Sequence, residues 1–117
     1  MCRDILLAIV LLEMINCFII VPIKYIGYES YMPEISRFFG IIVAMYYKEH
    51  NPPHFHVRYN EYKAAISIKE LKVLKGKLPP RVLGLVIEWA TTYQAELMED
   101  WQLAETLQAL KPIKPLE

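Results

Sequence analysis

The sequence predicts an α+β domain: a three-stranded antiparallel meander packed against one long or two short C-terminal helices, preceded by an extra apolar segment. Three observations lead there. Residues 41–47 and 54–68 alternate or run apolar with the period of strands, a single apolar stripe recurs at spacings of three and four after Pro80, and composition changes abruptly near residue 31.

The chain of 117 residues is long enough for one modest core and too short for two. With 55% hydrophobic and 22% charged residues it is globular in composition, and a formal net charge of zero names no class of partner. Both cysteines, Cys2 and Cys17, fall in the first segment, so the remainder holds neither a disulfide framework nor a cysteine-based zinc site. This usage suits a reducing cytoplasm, where the protein is expected.

Two units are expected, an apolar extension over residues 1–31 and a single domain over 32–117. Residues 5–23 read ILLAIVLLEMINCFIIVPI, close to the roughly 20 residues that a membrane helix needs. Glu13, Asn16 and Pro22 oppose insertion: a central charge costs roughly 2.5–3.5 kcal/mol, against gains of about 0.3–0.6 for each Leu or Ile. A signal peptide fits less well, since Asp4 neutralises Arg3 and no A-x-A-like site follows. An element added to the core, or an upstream extension of a frame whose translation starts at Met32, are the other readings. A membrane partner is expected only if residues 5–23 are translated and inserted.

In GIIVAMYYK, Ile41, Val43, Met45 and Tyr47 share one strand face, and Ile42, Ala44 and Tyr46 fill the other, as in a central strand. Residues 49–53 break the pattern, because Pro52 and Pro53 lack amide donors and push the residues before them into extended backbone. Asn60-Glu61 then predicts a two-residue hairpin turn between residues 54–59 and 62–68. Counting outward from it pairs Tyr59 with Tyr62, Val57 with Ala64 and Phe55 with Ile66 on an apolar face. Arg58 with Lys63, His56 with Ala65 and His54 with Ser67 make the opposite face, so both strand histidines point away from the core.

A short strand is expected at residues 72–74 inside a Lys-rich stretch. Pro79-Pro80 opens the helical region, whose stripe is Val82, Val86, Trp89, Tyr93, Leu97, Trp101, Ala104 and Leu107. Thr91-Thr92, both β-branched, mark a place for the helix to break, and residues 111–117, with two prolines, read as an extended tail. Trp89 and Trp101 read as core.

Three stretches together carry a resemblance: MPEISRFFGI from Met32, HNPPHFHVRY from His50, and LPPRVLGLVIEWA followed by MEDWQLA. From Met32 to Glu117 the chain resembles the small bacterial family called domain of unknown function DUF4160, whose members typically begin at the position of Met32. The resemblance implies no known activity. It does imply a neighbour: genes of this family often lie beside another small family of unknown function, numbered 2442, in an arrangement similar to a toxin-antitoxin module.

All three histidines lie within HNPPHFH. As metal ligands, His54 and His56 chelate from one strand face while His50 swings in from the loop, with Glu49 or Glu61 as a carboxylate; Arg58 and Lys63 on the same face oppose a cation. As an acid-base pair, His54 and His56 with Arg58 meet the needs of a metal-independent ribonuclease, and the small side chains of Ala65 and Ser67 leave room for substrate. As structure, the imidazoles cap the Pro-Pro turn, hydrogen-bond nearby backbone, and stack on Phe55 or Tyr47. No cofactor motif is present, and a divalent metal is the one cofactor that the histidines would accept.

Charge is unevenly spread. Arg58, Lys63, Lys69, Lys72, Lys75, Lys77 and Arg81 face only Glu61 and Glu70 in their stretch, whereas residues 88–105 hold five acids and no base. A basic region interleaved with Tyr59 and Tyr62 suits RNA, and an acidic or basic partner protein suits the dipolar distribution. The reading is a binding or regulatory module acting through His54, His56, Arg58 and Lys63, with Ser67, Tyr59 and Tyr62 as further contacts. The ribonuclease and the metal-binding protein are its alternatives. Gly-rich phosphate loops, nucleophile elbows and cysteine clusters are absent from the sequence, which excludes P-loop kinases, α/β-hydrolases and zinc fingers.

Overall fold

Residues 32–117 are described by the computed structural model of the chain, and expectations for residues 5–23, Cys2 and Cys17 lie outside them. The described residues hold a five-stranded sheet: β1 (Glu34–Phe38), β2 (Ile41–Ala44), β3 (His54–Tyr59), β4 (Tyr62–Ser67) and β5 (Val73–Gly76). Each strand pairs antiparallel with the next, in the order β1-β2-β3-β4-β5, followed by helices α1 (Pro80–Thr92) and α2 (Gln94–Glu105). The fold is α+β, with two helices rather than one. The expected three strands are corrected to five.

Each added strand has a physical reason for being hard to read. In β1 a bulge lies between Glu34 and Ser36, so the buried Ile35 and Phe38 are three apart and period-two alternation is lost. In β5 no residue is buried, so its place is fixed by pairing and not by an apolar pattern. It runs over Val73–Gly76, shifted from the expected 72–74. Gly76 takes φ 79, and a Cβ there would meet the Lys63 carbonyl oxygen at 2.2 Å, which excludes other residues. β2 stops at Ala44, earlier than the alternation suggests, although Met45 stays fully buried and donates its N–H to the Pro33 carbonyl.

The hairpin follows the register set by its turn. His54 pairs with Ser67, Phe55 with Ile66, His56 with Ala65, Val57 with Ala64, Arg58 with Lys63 and Tyr59 with Tyr62. Asn60 supplies the left-handed backbone at φ 54 that this tight turn requires. Phe55, Val57 and Ile66 therefore point to the helices, where Trp89 meets the rings of Phe38, Phe55 and Tyr93. That burial is the main stabilising term of the domain.

The helical region breaks at Tyr93, one residue after the Thr pair; Thr91 and Thr92 donate back to the carbonyls of Ile87 and Glu88, a habit that bends helices. The stripe holds from Val82 through Ala104, but Leu107 is half exposed, beyond the end of α2. The tail does more than extend. Ile113 is buried and donates its N–H to Ile35 on the outer edge of β1, and the Lys114 carbonyl accepts from Trp89 Nε1. Asp100 Oδ1 accepts the Lys111 N–H, while its second oxygen is buried without a partner; burial pushes its carboxyl above the ordinary range, ahead of the opposing Lys111 contact. Among the described residues no helix is long and apolar enough to cross a membrane.

Candidate functional site

The segment 45–53 that joins β2 to β3 is tied at both ends. Lys48, at φ 53, donates its N–H to the Ala104 carbonyl at the end of α2, and the Pro53 carbonyl accepts from Ile68 beyond β4. Glu49 follows Lys48 directly, so its carboxylate is delivered onto the first residues of β3. There Oε1 lies 2.7 Å from His54 Nε2 and 2.6 Å from His56 Nε2.

His54 is committed on its other side as well: Nδ1 donates to the Pro52 carbonyl at 2.7 Å. A carbonyl accepts only, so that nitrogen carries hydrogen, and Nε2 then faces a second acceptor, the Glu49 oxygen. Two lone-pair-bearing atoms do not sit 2.7 Å apart without a cation between them. Either a proton or a metal ion serves. His56 Nε2 meets the same oxygen, where the single N–H of a neutral ring suffices, and the three ligand atoms lie within 4.8 Å of one another.

Aromatic rings wall the cluster. His54 lies against His56 at 5.1 Å between ring centres and against Trp101 of α2 at 5.3 Å, and His56 meets the Tyr46 ring edge-on at 4.8 Å. His54, His56 and Glu49 are all partly buried. Partial burial pushes the Glu49 carboxyl up, but hydrogen bonds and charge from His56 and His54 outweigh it, and the group sits below the ordinary carboxylate range.

The structure gathers some of the expected residues and disperses others. His50 is exposed and outside the group of Glu49, His54 and His56, and Glu61 is exposed at the hairpin turn. Arg58 and Lys63 are exposed partners on the same sheet face as the histidines. Ser67 is buried, and its hydroxyl accepts the Glu70 N–H within the β4–β5 connection. Tyr59 and Tyr62 lie on the opposite, helix-covered face; Tyr59 lines a concavity of about 440 Å³ with Phe39, Ile41, Arg81, Val82 and Leu85. The rings that pack on the histidines include Tyr46 and Trp101, while Phe55, on the other face of the strand, packs on Trp89. Alternation from Ile42 and Ala44 already pointed Tyr46 to the histidine face, but nothing local announces Trp101, which arrives from 47 residues downstream of its partner His54.

The family model of the domain of unknown function DUF4160 matches residues 40–102, more than half of the chain and the stretch that contains Glu49, His54 and His56. No curated protein and no solved structure matches the chain. The chain belongs to the DUF4160 family.

Proposed function

We propose that this member of the DUF4160 family binds a divalent transition metal through His54 Nε2, His56 Nε2 and a carboxylate oxygen of Glu49. One observation carries the reading: Glu49 Oε1 meets both Nε2 atoms while His54 Nδ1 is already engaged with the Pro52 carbonyl. A carbonyl behind a ligating imidazole is the usual means of fixing the tautomer and the ring orientation in metal sites. Two histidines with one carboxylate suit zinc or iron, and three protein ligands leave coordination positions open for water or substrate. At bond lengths of about 2.0–2.1 Å, neighbouring ligands of a tetrahedral ion stand about 3.3 Å apart, so loading asks Glu49 to retreat from each imidazole nitrogen by about 0.6 Å. Arg58 and Lys63 lie farther along the face and point to solvent, which weakens their opposition to a cation.

The family resemblance supplies a setting for such a site, a small regulatory protein in a two-gene, toxin-antitoxin-like pair with a protein of the 2442 family as partner. A second reading uses the same atoms without metal: Glu49 orients His54 and His56 as an acid-base pair for RNA cleavage, which the contact of both imidazoles with one carboxylate favours.

Titration of the chelator-treated protein with Zn²⁺ and Co²⁺ tests the reading. One ion bound per chain is expected, with Co²⁺ giving the visible absorption of a four- or five-coordinate site. Glu49→Gln, His54→Ala and His56→Ala each weaken binding by about 100-fold, and His50→Ala changes it by less than about twofold. Absence of stoichiometric binding, or equal damage from His50→Ala, defeats the proposal. RNA cleavage that persists in EDTA and is lost in His54→Ala moves the assignment to the acid-base pair.

A further inference from the structure

Strand pairing builds a feature on the histidine-bearing face of the sheet that no single strand shows. Arg37 of β1 lies beside Ile42 of β2, Ile42 beside Arg58 of β3, and Arg58 beside Lys63 of β4. Direct cross-strand partners share a face, so Arg37, Arg58 and Lys63 form one row across four strands, spanning roughly 14 Å at the usual strand spacing of about 4.8 Å. Lys77, whose N–H donates to the Lys63 carbonyl, continues the row past the end of β5. All four cations are exposed. His56 stands two residues from Arg58 on the same face, about 7 Å along the strand, and His54 a further step beyond.

Among the described residues, the acid paired with this row is Glu34, which forms a two-point ion pair with Arg37 at 2.9 Å and whose carboxyl is lowered first by that bond and then by the charges of Arg37 and Arg58. Lys63 makes no ion pair among the described residues. Like charges placed directly across strands repel one another, a cost that a ligand with repeated negative charge removes. Tyr46, half buried with its edge on His56, adds an aromatic surface where the row approaches the histidines. Anionic repeats together with an aromatic platform describe a single-stranded nucleic acid better than an acidic peptide, which has no flat base to stack.

We infer that the exposed cation row binds single-stranded nucleic acid, the backbone lying along Arg37, Arg58 and Lys63 and a base at Tyr46, so that a phosphodiester is brought beside Glu49, His54 and His56. This deepens the metal reading by naming the ligand class of the same site, and it rests on that reading for what the strand is brought to. Contact between the row and the backbone is independent of the ion.

The test is fluorescence anisotropy of the full chain with a labelled 12-nucleotide oligouridylate, the matching oligothymidylate, and an acidic polyglutamate of the same charge, each over a range of salt with EDTA or Zn²⁺. Oligonucleotide binding at about 50 mM salt is expected. Arg58→Ala/Lys63→Ala weakens it by about tenfold or more with either addition and lowers the slope of log K against log salt by about one to two, with the melting temperature retained. Arg58→Lys/Lys63→Arg restores it. Tyr46→Ala weakens oligonucleotide but not polyglutamate binding. Zinc uptake by the same protein, measured separately, distinguishes the two failures: oligonucleotide binding in EDTA with no stoichiometric zinc uptake defeats the metal reading and leaves this one standing, whereas zinc uptake with no oligonucleotide binding does the reverse. Absence of oligonucleotide binding, full binding by the Arg58→Ala/Lys63→Ala variant, or polyglutamate binding as tight as that of the oligonucleotides overturns the inference, the last in favour of an acidic protein partner.

Discussion

The two faces of β3 are built from alternate residues of one six-residue strand, yet different physics holds them. Phe55 and Val57 are closed from water by α1 and the neighbouring strands, and their environment is an extensive, non-directional burial. His54 and His56, one residue away in each case, are held by three short polar contacts and two ring contacts, most of them supplied by a single connecting segment. The apolar face is a scaffold that many residues share. The polar face is a site that depends on few. A chain with both on one strand can lose its site without losing its fold, whereas loss of the scaffold takes the site with it.

Breaking the apolar face gives the largest expected effect. Trp89→Ala removes a fully buried ring that touches Phe38, Phe55 and Tyr93, together with the hydrogen bond to the Lys114 carbonyl, and is expected to cost about 3–5 kcal/mol in urea denaturation, enough to unfold a marginal domain. Breaking the polar face costs less. His54→Ala leaves the Pro52 carbonyl without its partner and Glu49 with His56 alone, and about 1–2 kcal/mol is expected in the same assay, with metal binding lost. If the two variants proved equally destabilising, the division into scaffold and site would fail.

Acid titration sharpens the comparison, because one carboxyl beside each face is displaced in opposite directions. The folded value of Glu49 lies below the ordinary one, so its contribution is complete above the unfolded pKa of about 4.3 and is lost as pH falls through the folded value. Glu49→Gln is expected to flatten the decline of melting temperature at the acid end. Asp100, under the tail, is displaced upward, so its contribution is complete below about pH 3.9 and is lost as pH rises through the folded value. Asp100→Asn keeps an acceptor for the Lys111 N–H and is expected to remove that loss. Parallel profiles for wild type and both variants between pH 2.5 and 7 would count against both assignments.

The smallest effect is expected at the turn that sets which residue faces where. Asn60 already occupies left-handed backbone, so Asn60→Gly is expected to change stability by less than about 0.5 kcal/mol and to leave metal binding intact. Asn60→Val, a β-branched residue at φ 54, is expected to cost about 1–2 kcal/mol. A variant that slipped the register by one residue would exchange the two faces, visible as loss of both Trp89 burial in fluorescence and zinc binding.

The hairpin was legible because its information is local: a two-residue turn and a strict alternation fix six cross-strand pairs at once. The helical stripe was legible for the same reason, down to the weakening at Thr91-Thr92. β1 was hidden by its bulge and β5 by its exposure, since each depends on a neighbour for its pairing. In the site, His54 and His56 could be placed on one face by counting. Glu49 was one of two acids that the sequence offered, and its choice over His50 turns on the path of residues 45–53, which is set by the Lys48 contact with α2 and the Pro53 contact with Ile68.

By itself the sequence determined the α+β class, the register of the central hairpin, the apolar stripe of the helices and the pairing of two histidines on one strand face. These follow from periodicity and turn chemistry, which act over a few residues. Only the tertiary structure decided that Glu49 closes the cluster, that Trp101 backs His54, that the tail covers the edge of β1, and that Arg37, Arg58 and Lys63 stand in one row. Each of those joins residues from separate elements, and such contacts are fixed by how the elements pack and pair, for which no local pattern in the chain provides a code.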